Sequence, residues 1–175
     1  MTNNFAQQIE LEIHPWTVSD LSAVRTIALA TWLATYGSFI PEADIRKFWE
    51  ESYTIEKLTE LCNSPTARGF IESHAAGFAK TRFNSDEKKF YLQSLYVLPE
   101  HQGKGIGSKL LDAVEEYART FDVDSIWLGV MSQNLAALDW YRRIGFQFEQ
   151  EEPFTMGTTT VMHLIGFRTI KRKAL

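Results

Sequence analysis

The stretch from Lys89 to Val130 constrains the fold more than any other. Residues 89–97 (KFYLQSLYV) read as a strand, Pro99 ends it, and glycines follow at 103, 105 and 107. Ile106, Leu110, Val114, Tyr117 and Phe121 then recur at spacings of 4, 4, 3 and 4, the apolar stripe of an amphipathic helix. Residues 125–130 (SIWLGV) form a short apolar run of the kind that is buried in a parallel sheet. A strand, a helix and a strand in that order form a crossover, so the two strands are expected to lie parallel in one sheet.

What flanks this unit is of a different kind. Residues 67–73 and 77–83 read as strands joined by a small-residue turn around His74–Gly77, and Asn84–Lys88 turns the chain into the strand at 89–97. Three strands with short turns predict an antiparallel meander. Nearer the N-terminus, 9–14 (IELEIH) alternates as a strand. Thr17 and Ser19 are capping candidates for a helix carrying Leu21, Val24, Ala28 and Thr31 on one face. Pro41 breaks the chain before an acidic amphipathic segment at 42–51. Thr54 is a candidate cap for a short helix bearing Ile55, Leu58 and Leu61. Beyond the crossover, a helix from about 134 to 143 ends near Gly145, Phe146 opens a strand, and the last strand covers 158–167. The pattern predicts a mixed α/β fold in a single domain over 1–175, with its motif-bearing core at about 67–167. No linker or composition break divides it.

The glycine segment is a phosphate-loop candidate. Its glycines let backbone approach a ligand, and the first turn of the helix offers unpaired N–H groups at a positive dipole end. A Walker loop requires G-x-x-x-x-G-K-[ST], which is absent around Lys104 and Lys109. The dinucleotide fingerprint G-x-G-x-x-G, counted from Gly103 and Gly105, meets Ser108 where its third glycine belongs. The spacing that fits is Q-x-x-G-x-G, from Gln102, Gly105 and Gly107. A glycine-rich strand-to-helix loop also occurs for packing reasons alone.

A second constellation lies downstream in S132-Q-N-L-A-A-L-D-W-Y-R-R-I-G-F146. Asn134, Ala137, Leu138 and Tyr141 share a helix face. Asn134 either caps that helix or bonds an amide-bearing ligand. For Tyr141 a core position with a tethered hydroxyl is the commoner fate. Composition narrows the function classes further: a formal charge of −4 argues against a nucleic-acid binder, which needs a basic stripe. The lone Cys62 leaves no intrachain disulfide and no thiolate-rich metal site, and at a helix end it reads as a bystander thiol. The opening MTNNFAQQIE has neither the basic stretch nor the apolar run of a signal peptide, and no window reaches the length of a membrane span. A soluble cytoplasmic protein without membrane partners is expected.

Together, the two constellations resemble the GNAT superfamily of acetyl-coenzyme A-dependent N-acetyltransferases. The first matches in L95-Y-V-L-P-E-H-Q-G-K-G-I-G-S-K-L-L111, the second in Asn134, Ala137, Tyr141, Gly145 and Phe146. The resemblance implies a central mixed, mostly antiparallel sheet splayed between 89–97 and 125–130, with helices on both faces. It implies acetyl-coenzyme A as cosubstrate and no metal. Its pantetheine arm would lie against Leu95, Tyr96 and Val97, with the Leu95 backbone N–H polarising the thioester carbonyl. Gln102, Gly103, Lys104, Gly105, Ile106, Gly107 and Ser108 would surround the pyrophosphate. Asn134 and Ala137 would line the pantetheine, and Tyr141 would protonate the departing thiolate.

The acceptor implied is a primary amine, whether a small molecule or a peptide. Tyr36, Phe39, Glu42 and Glu72 are its candidate contacts, Glu72, Glu42 and Asp44 also being candidates for the general base. TWLATYGSFIP and EPFTMGTTTVMHLIG further resemble bacterial polyamine N-acetyltransferases. The bland alternative for the first arm is a helix pair with a core face and a solvated acidic face. Many members of the superfamily form homodimers, although no heptad seam argues for one here. The competing function is a coenzyme A-binding sensor that has lost turnover.

Overall fold

The computed structural model describes residues 11–170. A short strand β1 (Ile13–Pro15) leads through a 3-10 turn (Val18–Asp20) into helices α1 (Leu21–Tyr36), α2 (Glu42–Ser52) and α3 (Ile55–Cys62). The meander follows as β2 (Ala67–Glu72), β3 (Gly77–Asn84) and β4 (Lys89–Val97). Then come α4 (Ile106–Ala118), β5 (Ser125–Met131), α5 (Leu135–Arg143), β6 (Gln147–Met156) and β7 (Thr159–Thr169). All seven strands join one sheet in the order β1-β2-β3-β4-β5-β7-β6. Only β4 and β5 run parallel, as the crossover through α4 requires.

The predicted elements and the observed ones differ mainly at their ends. Residues 9 and 10 of the expected first strand lie outside the described residues, and pairing begins at Ile13, opposite Glu72. Thr17 opens the 3-10 turn rather than α1, its backbone N–H donating to the Asp20 carboxylate at 2.7 Å. The long helix stops at Ala118 instead of reaching Phe121. There the Thr120 hydroxyl donates to the Tyr117 carbonyl at 2.7 Å and turns the chain away. Phe121 keeps its place in the apolar stripe regardless, stacking on Phe83 at 4.6 Å and meeting Tyr117 edge-on at 5.2 Å.

The sheet separates two cores. On one face α1, α2 and α3 bury Val24, Trp32, Ile45 and Leu58 against Phe78 and Met131. On the other α4 and α5 bury Leu110, Val114, Leu138 and Tyr141 against Phe90, Ile126 and Leu128. Alternation along β5 sorts its residues accordingly: Ile126, Leu128 and Val130 face α4, while Met131 packs with the first three helices. Among the described residues no helix is long and apolar enough to cross a membrane.

Candidate active site

β4 and β5 hold together at one end only. Their pairs are Phe90↔Ile126 and Tyr91↔Trp127, and beyond these the strands part. A bulge in β4 accompanies the parting. Lys80 pairs with Ser94 but Thr81 pairs with Leu92, so Gln93 is an extra residue on β4. After the bulge, the Leu98 N–H donates to the Ala76 carbonyl at 2.9 Å, toward β3. In an antiparallel ladder successive residues point their N–H and C=O groups alternately to either side. The backbone groups of Leu95 and Val97 are therefore turned away from β3, into the gap.

At the wide end of the gap stands the glycine loop. Gly103 and Gly105 have φ of 74° and 85°, left-handed conformations that cost glycine little. Gly105 is the N-cap of α4, and the first helical bond runs from the Lys109 N–H to its carbonyl at 3.1 Å. Among the described residues, no backbone acceptor takes the N–H groups from Gly103 to Ser108. They form a row of free donors at a positive helix end, which suits a pyrophosphate. A Cβ added at Gly103 would meet nothing within 4 Å, so the loop is open to a ligand there. The Gln102 side chain turns inward and donates to the Val97 carbonyl at 3.1 Å, tying the loop to the strand end.

The second constellation meets the first in space. Gly107 packs beside Trp140 and Leu95: a Cβ there would lie 3.4 Å from the indole and 3.7 Å from the Leu95 side chain. Asn134 is the N-cap of α5, its Oδ1 accepting from the Ala137 N–H at 3.2 Å. That bond leaves the two Nδ2 hydrogens of Asn134 without a partner among the described residues. Tyr141 is buried, with its ring edge-on to Phe146 at 5.2 Å. Burial, reinforced by the neighbouring Tyr96 phenol, holds its hydroxyl well above the ordinary phenol value. Tyr36 faces Tyr96 and lies near enough to sense Tyr141, and burial raises all three phenols. Three protonated hydroxyls thus gather beside the gap.

A gap between parallel strands, a row of N–H groups at its mouth and a buried phenol beside it thus lie together at one end of the sheet. Residues 31–146 match the family model described as Acetyltransferase (GNAT) family. The chain belongs to the GNAT acetyltransferase family.

Relatives of this GNAT protein differ in how much of them it matches. Streptothricin acetyltransferase of Streptomyces lavendulae is 36% identical over 73 residues, 42% of this chain and 39% of that enzyme. Spermidine N(1)-acetyltransferase of Thermoplasma acidophilum is 26% identical over 151 residues, 82% of this chain and 92% of that enzyme. L-amino acid N-acyltransferase MnaT of Escherichia coli is 31% identical over 138 residues, 77% of this chain and 78% of that enzyme. The fold is that of the PaiA N-acetyltransferase from Thermoplasma acidophilum in complex with coenzyme A. The two superpose with a TM-score of 0.79 over 92% of this chain and 99% of that one, at 24% identity.

The expected acceptor residues of this GNAT chain divide. Tyr36 lies beside the gap with Phe39 edge-on to it at 5.9 Å. Glu42 sits exposed at the start of α2, paired with Arg46 at 2.7 Å. Glu72 is buried but serves its own hairpin, accepting from the His74 and Ala76 N–H groups at 3.0 and 3.2 Å and bonding the His74 ring. Asp44 ties α2 to the β6–β7 hairpin through the Thr158 N–H at 3.0 Å and the Thr159 hydroxyl at 2.7 Å. Cys62 packs against the α1–α3 core, its thiol pushed up by burial. Two features escaped sequence reading: the Tyr53–Ser94 contact that braces the bulge, and His163 on β7. Tyr53 lies 41 residues from its partner, and no local pattern marks either residue.

Proposed function

We propose that this chain transfers an acetyl group from acetyl-coenzyme A to a primary amine within a ternary complex, with a polyamine as acceptor. The carrying observation is the one-ended β4–β5 pairing, which leaves the Leu95 backbone facing an open slot beside the glycine loop and Tyr141. Acetyl-coenzyme A supplies an acyl thioester, which a neutral amine attacks directly, so no protein nucleophile is needed. The N–H groups from Gly103 to Ser108 hold the pyrophosphate, with Lys104 at the exposed rim and Gln102 shaping the loop from behind. Leu95, Tyr96 and Val97 pair with the extended arm as a missing strand would, and Asn134 and Ala137 border it. The Leu95 N–H polarises the thioester carbonyl. Tyr141, fully protonated at neutral pH, donates to the leaving sulfur.

Polyamines lead among acceptors because the Thermoplasma relative named for spermidine matches over nearly all its length. Charge supports the choice: exposed Glu149, Glu151 and Glu152 line β6, and Glu50 and Glu51 end α2. Tyr36 and Phe39 offer aromatic faces to an ammonium group. The test is coenzyme A release measured across spermidine, spermine, short peptides, amino sugars and amino acids. Highest kcat/KM on spermidine or spermine is expected. Turnover of amino acids alone would reassign the acceptor, and absence of turnover on every amine would sink the enzyme reading.

A further inference from the structure

The amine must lose a proton before it attacks, and the carboxylates nearest in sequence expectation are occupied: Glu42 by Arg46, Glu72 by its hairpin, Asp44 by Thr158 and Thr159. The sheet offers another group. Counting forward from Tyr91↔Trp127 and omitting Gln93 as the bulged residue, Leu95 comes level with Val130 and Tyr96 with Met131. Met131 pairs in turn with His163 on β7. Residues directly opposed in a ladder share a face, so His163 lies on the face of Met131 and Tyr96, both in the α1–α3 core. It stands one strand beyond the gap, about 4.8 Å from β5.

Between gap and imidazole, β5 carries no side chain of its own at Gly129, where the side chains of Ile165 and His163 both reach across from β7. Gly129 points to the same face of β5, and a Cβ added there would lie 3.1 Å from Cδ1 of Ile165 and 3.2 Å from Nδ1 of His163. Any side chain at 129 would cover that nitrogen from the gap side. The ring itself is fixed by stacking on Phe154, with centroids 4.3 Å apart and planes 8° from parallel. Among the described residues neither ring nitrogen has a hydrogen-bond partner. Charged neighbours are few: Gly129 and Met131 on β5 carry none, and on β6 the opposed Glu152 is exposed and bonded to Gln150. On α2, Phe48 packs on Phe154, and Asp44 is held by the hairpin. Burial holds the imidazole below its ordinary value, so it is neutral at pH 7 and free to accept.

Granting the acetyltransferase reading, we propose that His163 is the general base, taking the acceptor's proton on the β5 face where Gly129 has no side chain to cover its Nδ1. R–NH3⁺ gives one proton to the imidazole and becomes R–NH2, whose nitrogen bonds the thioester carbon as the C–S bond breaks. The second amine proton leaves as the amide forms, the sulfur takes one from Tyr141, and Tyr141 recovers its own. One proton in net passes through His163 to solvent.

His163→Phe keeps the stack on Phe154 and removes the base. It should lower kcat/KM about 10²-fold, abolish the acid limb of its pH profile, and leave acetyl-coenzyme A affinity unchanged. Added imidazole should restore rate to His163→Ala. In the protein without cosubstrate, ring 15N shifts of His163 should titrate below pH 6.5 and move when spermidine binds. A His163→Phe enzyme with wild-type rate and acid limb overturns the proposal, as do ring shifts indifferent to bound spermidine. A wild-type protein that turns over no amine defeats instead the acetyltransferase reading beneath it.

Discussion

The Tyr53 hydroxyl and the Ser94 hydroxyl, 41 residues apart, meet at 2.8 Å inside the core. Tyr53 ends α2 and Ser94 follows the bulged Gln93, so this single contact pins the helical arm to the point where β4 leaves its regular ladder. The bulge decides which backbone groups face β5, and hence where the Leu95 N–H points. Tyr53→Phe leaves the ring's packing in place and removes one buried hydroxyl. A loss of about 1–2 kcal/mol in urea unfolding is expected, with a severalfold lower kcat and little change in KM for acetyl-coenzyme A. An unchanged kcat at reduced stability would show that the bulge holds its geometry without this contact.

Tyr141→Phe tests the acid. The hydroxyl is held above the ordinary phenol value by burial, so Tyr141 remains a donor throughout the usual assay range. Its loss should cut kcat about 10²-fold while acetyl-coenzyme A still binds. The wild-type profile should show no alkaline fall from Tyr141 up to pH 10. A rate unchanged in Tyr141→Phe, under conditions where chemistry limits turnover, would remove the residue from the mechanism.

Gly103 and Gly145 form a matched pair for testing the loop. Both have positive φ, 74° and 96°, so alanine costs each about 1 kcal/mol of backbone strain. Only Gly103 belongs to the row of free N–H donors. Gly103→Ala should therefore raise KM for acetyl-coenzyme A tenfold or more, and Gly145→Ala should leave it near wild type. Equal effects on KM would mean that strain, not ligand approach, accounts for both.

Much of this fold was legible because its pieces declare themselves locally. The meander's turns, the stripe of α4 and the cap at Asn134 each follow from spacing and residue type. The splay entered only through the family resemblance, and nothing in KFYLQSLYV marks Gln93 as the extra residue of a bulge. Partial pairing of β4 with β5 is a tertiary property. The carboxylates misled for a similar reason. Glu72 and Asp44 are base candidates in sequence, but hydrogen-bond donors brought by turns and by a distant hairpin claim them. His163 was invisible because its environment comes from Phe154 on one strand and the missing side chain of Gly129 on another.

Asp44 gives a pH signature for that hairpin contact. The Thr159 hydroxyl and then the Thr158 N–H hold its carboxyl below the ordinary value of 3.8. A depressed folded value means that its contribution is fully present above the unfolded value and is lost as pH falls through the folded one. Asp44→Ala should lower the melting temperature at pH 7, and its curve should converge on wild type as the pH falls below 3.8 and through the depressed folded value. A constant offset across that range would assign the loss to packing rather than to the ionised carboxylate.

Lys80 behaves in the opposite sense. It projects from β3 into a hollow under α3 that Lys57, Glu60 and Arg82 also line, and its Nζ lies over the face of Tyr53 at 4.7 Å. Burial, with Arg82 adding repulsion, lowers its value to about 8. The folded chain therefore releases this proton near pH 8, while the unfolded chain keeps it to 10.5. Between those values the unfolded state binds more protons, so wild-type stability gains from Lys80 as pH rises. Lys80→Met retains the stem's packing and removes the buried charge. It should be more stable than wild type at pH 7, with the advantage shrinking between pH 8 and 10. Denaturant midpoints across that interval measure it, and an advantage that does not shrink would place the gain in packing instead of charge.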